Sequence, residues 1–188
     1  MVGLKSFVYF ENLIKKKRYK LHNIMRHKEI EKGKLMPKKS SIGGRNRLGV
    51  YTISEVFDYI DASPKNGQRV KFHGHSMNMR STRMLSFRKN GIACVKCGAR
   101  GAFFAKERYG SDAPHLNLYG FDVHGKQILL TRDHIKPKAK GGTNHIYNSQ
   151  TMCLKCNSRK SDDWNWKVRL KYYWKKFKFW LNGSDRSK

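Results

Sequence analysis

Two pairs of cysteines constrain this chain more than any other feature of its sequence. The chain has four cysteines and none is left over: Cys94, Cys97, Cys153 and Cys156. Two residues separate the members of each pair, so both thiolates can turn toward one ion, and two pairs complete the tetrahedral shell that zinc prefers. Two redox motifs would need a βαβ setting that is not evident, and unrelated buried thiols are the other alternative. We predict a structural Zn²⁺ site formed by two zinc knuckles, each of them the turn that contains one cysteine pair. A whole subdomain is inserted between the two knuckles.

The charge is the second constraint. Lys and Arg number 41 against 13 Asp and Glu, which gives a net charge of +28. Such a chain repels itself unless a polyanion neutralises it, and nucleic acid is the usual partner at this charge. A solubility charge, a basic disordered tail or a ribosome-like structural protein are the alternatives. The basic run 15–18 could mimic a nuclear localisation signal, but a phosphate-contacting face is the simpler interpretation.

Composition also bounds the size and location of the protein. The 188 residues, 38% of them hydrophobic, fit one compact domain with extensions or two small domains. Such a lean core would be helped by a structural metal. No apolar run is long enough to cross a membrane, and the N-terminus lacks the pattern of a signal peptide. We expect a cytoplasmic protein with no membrane partner, in which thiols stay reduced.

Composition and the spacing of apolar residues divide the chain into four segments. Residues 1–47 read as a basic arm, helical over 4–26, followed by a polar linker over 27–47. Residues 48–92 are predicted to form a small helical module, with DNA contact as one interpretation. Residues 93–162 contain both cysteine pairs, and residues 163–188 form a basic aromatic C-terminal segment.

Helix signals in the module come from caps and apolar spacing. Thr52 and Glu55 fit a capping box, and Ser81 and Gly91 fit the start and stop of a second helix that ends at Asn90. The apolar stripe of the first helix is Val56, Tyr59 and Ile60.

Strand signals follow between the cysteine pairs. Strands are predicted over 102–107, 115–122 and 127–133, with His124-Gly125 as the turn between the last two. A Gly-rich loop, a short segment over 148–152 and the start of a helix over 153–160 come next.

The C-terminal segment 164–181 is ambiguous in its period. Trp166, Leu170, Tyr173, Phe177 and Trp180 form a helical stripe, although alternate residues from Trp164 onward also fit a strand. Its length and the following glycine favour a helix. We predict that the aromatic stripe packs on the body of the protein, because exposed aromatic residues at this density are uncommon. A surface that lies along DNA or stacks on bases is the alternative.

Asp133 and His134 lie between the cysteine pairs and suit phosphodiester hydrolysis. The reaction needs a base for water, a cation for the leaving oxygen and a hold on the phosphate. A neutral His can take the proton, and Asp133 offers an oxygen ligand to a hard cation such as Mg²⁺. Adjacent side chains on a strand face opposite ways, so the pair must lie where the strand bends or ends. Pro137 is consistent with such an end.

The segment DHIKPKAKGGTNHIYNSQTMCLKCNSRKSD resembles the HNH endonuclease family. The resemblance covers residues 92–162 and is to the variant in which two CxxC knuckles bracket the site. It implies an α+β protein with a ββα-metal (HNH) core, a four-cysteine zinc site, and basic helical extensions on both sides. It also implies a phage-type or homing endonuclease in a bacterial or phage-infected cell, which cuts double-stranded DNA with Mg²⁺ or Mn²⁺. One unit cuts one strand, so a monomer would nick. The choice between monomer and homodimer stays open.

The resemblance also implies roles for single residues. His134 would be the general base, Asp133 and Asn157 the ligands of the catalytic metal, and Asn148 the residue that orients His134 and shapes the loop. Asn157 stands where many members have His, but an amide oxygen can still bind Mg²⁺. His145 is an alternative ligand or second base, although a surface His is the preferred interpretation. The predicted phosphate contacts are Lys136, Lys138, Lys140, Arg159 and Lys160.

Three functions therefore remain open at the level of sequence. The first is a DNA endonuclease, the second a zinc-stabilised nucleic-acid-binding protein that does not cut, and the third an RNA-directed nuclease. The loop lysines are read equally well as phosphate contacts and as solvated charges.

Overall fold

The computed structural model describes residues 44–122, 124–160 and 164–182, together with Met25, Lys28 and Glu29. The helix predicted over 4–26 lies outside the described residues, apart from Met25, and so does most of the linker predicted over 27–47.

A five-stranded antiparallel sheet forms the centre of the described structure. Its strands are β1 (Arg45–Tyr51), β4 (Gly101–Tyr109), β5 (His115–Phe121), β6 (Gln127–His134) and β7 (Ser149–Cys153). They are hydrogen-bonded in the order β1-β4-β5-β6-β7. A separate hairpin joins β2 (Val70–Phe72) to β3 (His75–Met77). The three strands predicted between the cysteine pairs are confirmed as β4, β5 and β6.

The four described helices are α1 (Ile53–Ala62), α2 (Thr82–Asn90), α3 (Leu154–Lys160) and α4 (Trp166–Leu181). Thr52 caps α1, its Oγ1 accepting a hydrogen bond from the Glu55 amide at 3.2 Å. Gly91 ends α2 with a positive φ of 85° and donates its amide to the Phe87 carbonyl at 3.1 Å. The cap and the stop read from the sequence are therefore confirmed.

The prediction that residues 27–47 form a linker is wrong for its last three residues. Residues 45–47 belong to β1, which pairs with β4 along its whole length. The guanidinium of Arg47 forms a buried ion pair with Glu107 at 2.7 Å, and Glu107 also accepts hydrogen bonds from Asn117 and Tyr119. This pairing partner lies far along the chain, and no local pattern could reveal it.

Residues 48–92 are more than a helical module. They contain both predicted helices, but also most of β1 and the hairpin β2–β3. Their apolar side chains share one core with Phe104, Leu116, Leu118 and Leu130 of the central sheet. In the apolar stripe of α1, Val56 and Ile60 are fully buried, whereas Tyr59 is partly exposed and packs its ring edge-on against Phe72.

The segment between β6 and α3 has the ββα arrangement. β6 pairs antiparallel with β7, with Asp133 opposite Gln150 and His134 opposite Ser149. α3 follows β7 directly and packs back on β6. A long loop joins the two strands and contains two short 3-10 turns, Lys138–Lys140 and Ile146–Asn148.

α4 is a helix as predicted, but the prediction that its aromatic stripe packs on the protein is wrong. Tyr172 is its buried residue, and it contacts Tyr147 and Trp164. The side chains predicted to pack are about half to two-thirds exposed: Trp166, Leu170, Tyr173, Phe177 and Trp180. Both faces of α4 carry aromatic residues, so periodicity alone could not tell which face docks. No helix among the described residues is long and apolar enough to span a membrane.

Candidate active site and zinc site

The four cysteines come together in space. Their Sγ atoms all lie within 4.8 Å of one another, and Cys97 and Cys153 are 3.8 Å apart. Sulfurs bound to zinc at about 2.3 Å in a tetrahedron are about 3.8 Å apart, so the cluster fits a zinc ion. The first knuckle is closed by two backbone bonds, from the Cys94 amide to Ala99 and from the Gly98 amide to Cys94. The zinc pairing read from the sequence therefore has the right geometry.

The thiols are crowded enough to influence one another. Burial raises the pKa of Cys97 to about 11, and the neighbouring Cys94 and Cys153 add to this. Burial would also raise the pKa of Cys94, but backbone hydrogen bonds bring it down to about 7. Because thiolates this close repel each other, a divalent cation is the natural counter-charge for the group.

Asp133 belongs to β6, and one side chain each from β7 and α3 holds its carboxylate. Its Oδ2 accepts hydrogen bonds from Gln150 Nε2 and from Lys160 Nζ, both at 2.7 Å. The ammonium of Lys160 also donates to the backbone carbonyl of His134. Lys171 of α4 donates to Gln150 Oε1 at 3.0 Å, which turns the Gln150 amide toward Asp133. The buried Asp133 carboxylate is thus oriented by residues from three elements.

Asn157 is placed on the same side of β6 through Thr131. The Thr131 hydroxyl donates to the Met152 carbonyl at 3.0 Å, so its oxygen is left to accept a hydrogen bond from Asn157 Nδ2 at 3.1 Å. The amide oxygen of Asn157 is therefore the end that remains for a cation. Asp133 and Asn157 both offer oxygen donors, which hard cations such as Mg²⁺ prefer. The donor set fits such an ion, with Lys160 as a competitor for Asp133.

His134 is the last residue of β6, as the need for a strand end predicted. Its ring points to the other side of the strand, where Nε2 lies 2.9 Å from Asn144 Oδ1 and 3.2 Å from Arg132 Nη2. The Asn144 Oδ1 contact is met by the tautomer with the proton on Nε2 and the lone pair on Nδ1, whereas Arg132 Nη2 could donate only to the opposite tautomer and also donates to the Asn144 oxygen at 3.3 Å. Burial, followed by the positive charges of Arg132 and Lys138, lowers the pKa of His134, while Asn144 and Asp133 oppose this.

Asn148 clamps the loop that carries these groups. The residue is fully buried, and its Oδ1 accepts from the Lys136 amide at 2.7 Å. Its Nδ2 donates to the carbonyls of Lys136 and Thr143 at 3.1 and 2.8 Å. Gly142 fits against the same backbone, since a Cβ there would come within 2.0 Å of the Lys136 carbonyl oxygen. Asn148 therefore shapes the loop directly and reaches His134 only through the backbone.

The predicted phosphate contacts fall into two groups. Lys138, Lys140 and Arg159 are exposed, while Lys136 is partly buried with its Nζ 5.7 Å from the centre of the Trp164 ring. Lys160 is different, because its side chain is largely buried in the ion pair with Asp133. His145 is exposed on the loop and packs against Tyr147 and Phe179, as expected of a surface His.

Several residues at the site are not predicted by the sequence. Asn144 lies in a loop without periodicity, and nothing in the sequence distinguishes it from a solvated Asn. Gln150 stands two residues after Asn148 in the segment that resembles the HNH family, and its position opposite Asp133 follows once β6 and β7 are paired. Lys171 and Lys175 come from α4, and Lys175 donates to the Ser149 carbonyl. Burial, with the nearby Lys171 charge, lowers the pKa of Lys175 to about 8.

The fold and the site define a ββα unit with a four-cysteine cluster that fits zinc and with a histidine and a carboxylate at its centre. A family model described as HNH endonuclease matches residues 124–171, which run from the turn before β6 into α4. The resemblance to HNH endonucleases is therefore confirmed over this segment, and a nuclease is the activity that the family suggests. The comparisons with curated proteins and with solved structures gave no match.

Proposed function

We propose that the protein is a metal-dependent DNA endonuclease that hydrolyses phosphodiester bonds. The observation that carries the proposal is the arrangement around β6, within the segment that matches the HNH endonuclease family. A histidine with a free ring nitrogen and a carboxylate with a neighbouring amide oxygen project from consecutive positions at the end of that strand.

His134 acts as the general base. Its Nε2 is held by Asn144, so Nδ1 accepts the proton of the attacking water. The lowered pKa of its ring keeps the imidazole in the neutral form near neutral pH, the form that can accept a proton. Asn148 acts at one remove, because it fixes the backbone on which the loop is built.

Asp133 and Asn157 hold the catalytic ion. When bound, Mg²⁺ or Mn²⁺ would neutralise the charge that develops on the leaving oxygen. Gln150 and Thr131 orient the two ligands. Lys160 balances the Asp133 carboxylate, and we propose that its ammonium also contacts the scissile phosphate.

Double-stranded DNA is the proposed substrate, held by a chain whose net charge is +28. The exposed cations Lys138, Lys140 and Arg159, together with the partly buried Lys136, supply phosphate contacts. One active site cuts one strand, so a monomer nicks. The type of enzyme that we propose is a phage-type or homing endonuclease in the cytoplasm of a bacterial or phage-infected cell.

Supercoiled plasmid tests this function. Purified full-length protein with Mg²⁺ should convert it to the open circle, and His134→Ala should slow the conversion by about 100- to 10,000-fold, the range for loss of a general base. Structured RNA offered in the same reaction should remain intact. Cleavage of the RNA in preference to the plasmid would replace the substrate with RNA.

One observation favours a second candidate, a zinc-stabilised nucleic-acid-binding protein that does not cut. The ammonium of Lys160 already neutralises Asp133, and such a pair could be permanent. Wild-type protein that binds the plasmid but leaves it supercoiled with Mg²⁺, Mn²⁺ and Co²⁺ would establish this candidate instead.

A further inference from the structure

The outward face of α4 has an unusual composition. Five of its seven large exposed apolar side chains are spaced by four and three residues in turn, which places them on one stripe of a helix with about 3.6 residues per turn. They are Trp166, Leu170, Tyr173, Phe177 and Trp180, and they are 48% to 69% exposed. Contiguous exposed apolar surface on a small protein marks a place where something binds.

Cations border this stripe on both sides. α4 carries six basic residues and no acidic one. Arg169 and Lys176 follow one border of the stripe, and Lys167 and Lys178 follow the other. No ion pair joins any of these four side chains to a carboxylate in the described part of the chain. The stripe thus combines aromatic rings with uncompensated positive charge.

A groove runs between the end of this stripe and the loop of the active site. It encloses about 510 Å³, within the range of sites that hold small organic ligands. The loop contributes His145 and Tyr147, and α4 contributes Tyr173, Phe177 and Trp180, with Lys176 on the border. The rings of Phe177 and Trp180 are nearly parallel, at 26° to each other and 6.4 Å apart.

The groove is joined to the catalytic residues by short connections. His145 follows Asn144, the residue that holds His134. Lys171 and Lys175, on the inner side of α4, donate to Gln150 and Ser149, the cross-strand partners of Asp133 and His134. A ligand in the groove would therefore lie beside the active site.

We infer that this groove binds unpaired nucleotides of the substrate, next to the bond to be cut. The inference rests on the proposed function and adds the class of substrate, namely DNA with unpaired bases. Bases stack on aromatic side chains when they are free of a duplex, and phosphates are held by lysine and arginine beside them. A fully paired duplex would offer phosphates to the cations but no base faces to the rings.

Charge decides between this occupant and two others. A second copy of α4 would fit the four-three spacing of a helical pair, but it would bring six more positive charges against the six present. An anionic lipid surface would satisfy the charge and the aromatic residues, but would cover the groove that opens beside the catalytic loop. Nucleic acid satisfies the charge, the rings and the location together.

Binding in the absence of Mg²⁺ tests the inference separately from cleavage. Full-length wild-type protein in EDTA is titrated into labelled DNA of one sequence, as a single strand, as a duplex with a central unpaired loop, and as a full duplex. Phe177→Ala/Trp180→Ala should weaken binding to the first two by about tenfold, as expected for the loss of base stacking, and binding to the full duplex by less than about twofold. Phe177→Tyr/Trp180→Phe should restore the affinity.

Trp166→Ala is the matched control, because Trp166 is as exposed as Trp180 but lies outside the groove. It should leave all three affinities unchanged, and all variants should unfold at the wild-type temperature. Equal losses from Trp166→Ala and from the groove variant would overturn the groove as the site, as would an unchanged affinity of the groove variant for unpaired DNA.

Two further measurements test the other occupants. A wild-type dimer that becomes a monomer in Phe177→Ala/Trp180→Ala, measured by light scattering, would assign the face to a second copy. Binding to phosphatidylglycerol vesicles that the same variant loses would assign it to a membrane. If the wild-type protein does not cleave the plasmid, but the groove variant selectively loses affinity for unpaired DNA, the proposed endonuclease function is wrong. The groove would still be the site that binds unpaired DNA.

Discussion

The catalytic unit and the outward face of α4 depart from ordinary protein architecture in opposite directions. In the catalytic unit (our name, after the proposed function, for β6, β7 and α3 with the loop between the strands), polar side chains are buried: Asp133, Asn148 and Gln150 are at most 8% exposed. On α4, large apolar side chains are exposed, with Trp166 and Trp180 about two-thirds accessible. Each arrangement costs free energy that a protein without a ligand would not need to expend.

The difference lies in how the two regions are completed. Every buried polar group named above has a protein partner, so the catalytic unit is satisfied without any ligand except at the oxygens that we propose as metal ligands. On α4, Tyr172 and Phe179 pack on the loop through Tyr147 and His145, whereas the outward rings of Phe177 and Trp180 pair with each other. The catalytic unit is thus preorganised, whereas the face of α4 is completed by what binds to it.

The largest expected effect comes from breaking the catalytic unit at its zinc site. Cys97→Ser removes one of four thiolates, and zinc binding contributes about 10 kcal/mol or more to the folding of small zinc modules. We expect the variant to lose its zinc, measured by elemental analysis, together with plasmid cleavage and most of its cooperative thermal unfolding.

Lys155→Ala is the control for this change, because Lys155 lies inside the second knuckle but is exposed and is not a ligand. It should retain one zinc per chain and full cleavage. A soluble and active Cys97→Ser protein without zinc would show that the catalytic unit does not depend on the ion.

A smaller effect separates two asparagines of the same loop. Asn148→Ala leaves the amide and carbonyl of Lys136 and the carbonyl of Thr143 without their partner. We expect the free energy of unfolding to fall by about 3 kcal/mol, since each unpaired buried group costs about 1–3 kcal/mol. Urea unfolding measures the loss, and cleavage should fall with it.

Asn144→Ala should behave differently, because Asn144 is exposed and holds only the His134 ring and Arg132. Its stability should stay within about 0.5 kcal/mol of wild type. Its cleavage rate should fall by about 10- to 100-fold, the usual cost of a misplaced catalytic group. Equal losses of stability in Asn148→Ala and Asn144→Ala would contradict the assignment of Asn148 as the residue that holds the loop and of Asn144 as the residue that orients His134.

The difference between local and non-local contacts explains how much of the fold could be predicted from the sequence. The cysteine pairs, the Thr52 cap and the Gly91 stop are local signals, and each is confirmed. The aromatic stripe of α4 was also visible, but its burial depends on what the neighbouring loop presents. Non-local pairing hid β1 in an apparent linker, since nothing near residues 45–47 reveals β4 as its partner.

The position of Lys160 shows the limit most clearly. In the sequence it is one more lysine after a motif, and it was predicted to face the phosphates. The position of α3 brings its ammonium to Asp133, which lies on β6 and is separated from α3 in the sequence by the loop and β7. Side-chain direction on a short helix follows from where that helix docks, which only the assembled fold defines.

Lys160 also gives the third prediction, of intermediate size. Lys160→Met leaves the buried Asp133 carboxylate with Gln150 as its hydrogen-bond donor. In EDTA we expect a loss of about 2–3 kcal/mol in unfolding free energy, because breaking a buried ion pair leaves an uncompensated charge. Added Mg²⁺ should raise the melting temperature of Lys160→Met more than that of wild type, because the ion no longer competes with an ammonium.

Scanning calorimetry with and without Mg²⁺ measures both effects. Asp133→Asn/Lys160→Met is the control, since it removes the proposed ligand as well and should show no stabilisation by Mg²⁺. Identical Mg²⁺-induced shifts in wild type, the single variant and the double variant would show that Asp133 does not hold the ion.

The smallest expected effect concerns the exposed cations that flank the catalytic unit. Lys138 lies in the loop, where its charge acts on His134, and Arg159 lies on α3, next in sequence to Lys160, which pairs with Asp133. If each contacts one phosphate, Lys138→Ala or Arg159→Ala should reduce the slope of log affinity against log salt by about 0.9 for duplex DNA. Fluorescence anisotropy at several salt concentrations in EDTA gives this slope, and Lys65→Ala, an exposed lysine just after α1, should leave it unchanged. A change with Lys138→Ala alone would place the duplex on the loop side of β6, toward the groove of α4. A change with Arg159→Ala alone would place it over α3, and the groove would then receive only the strand that leaves the active site.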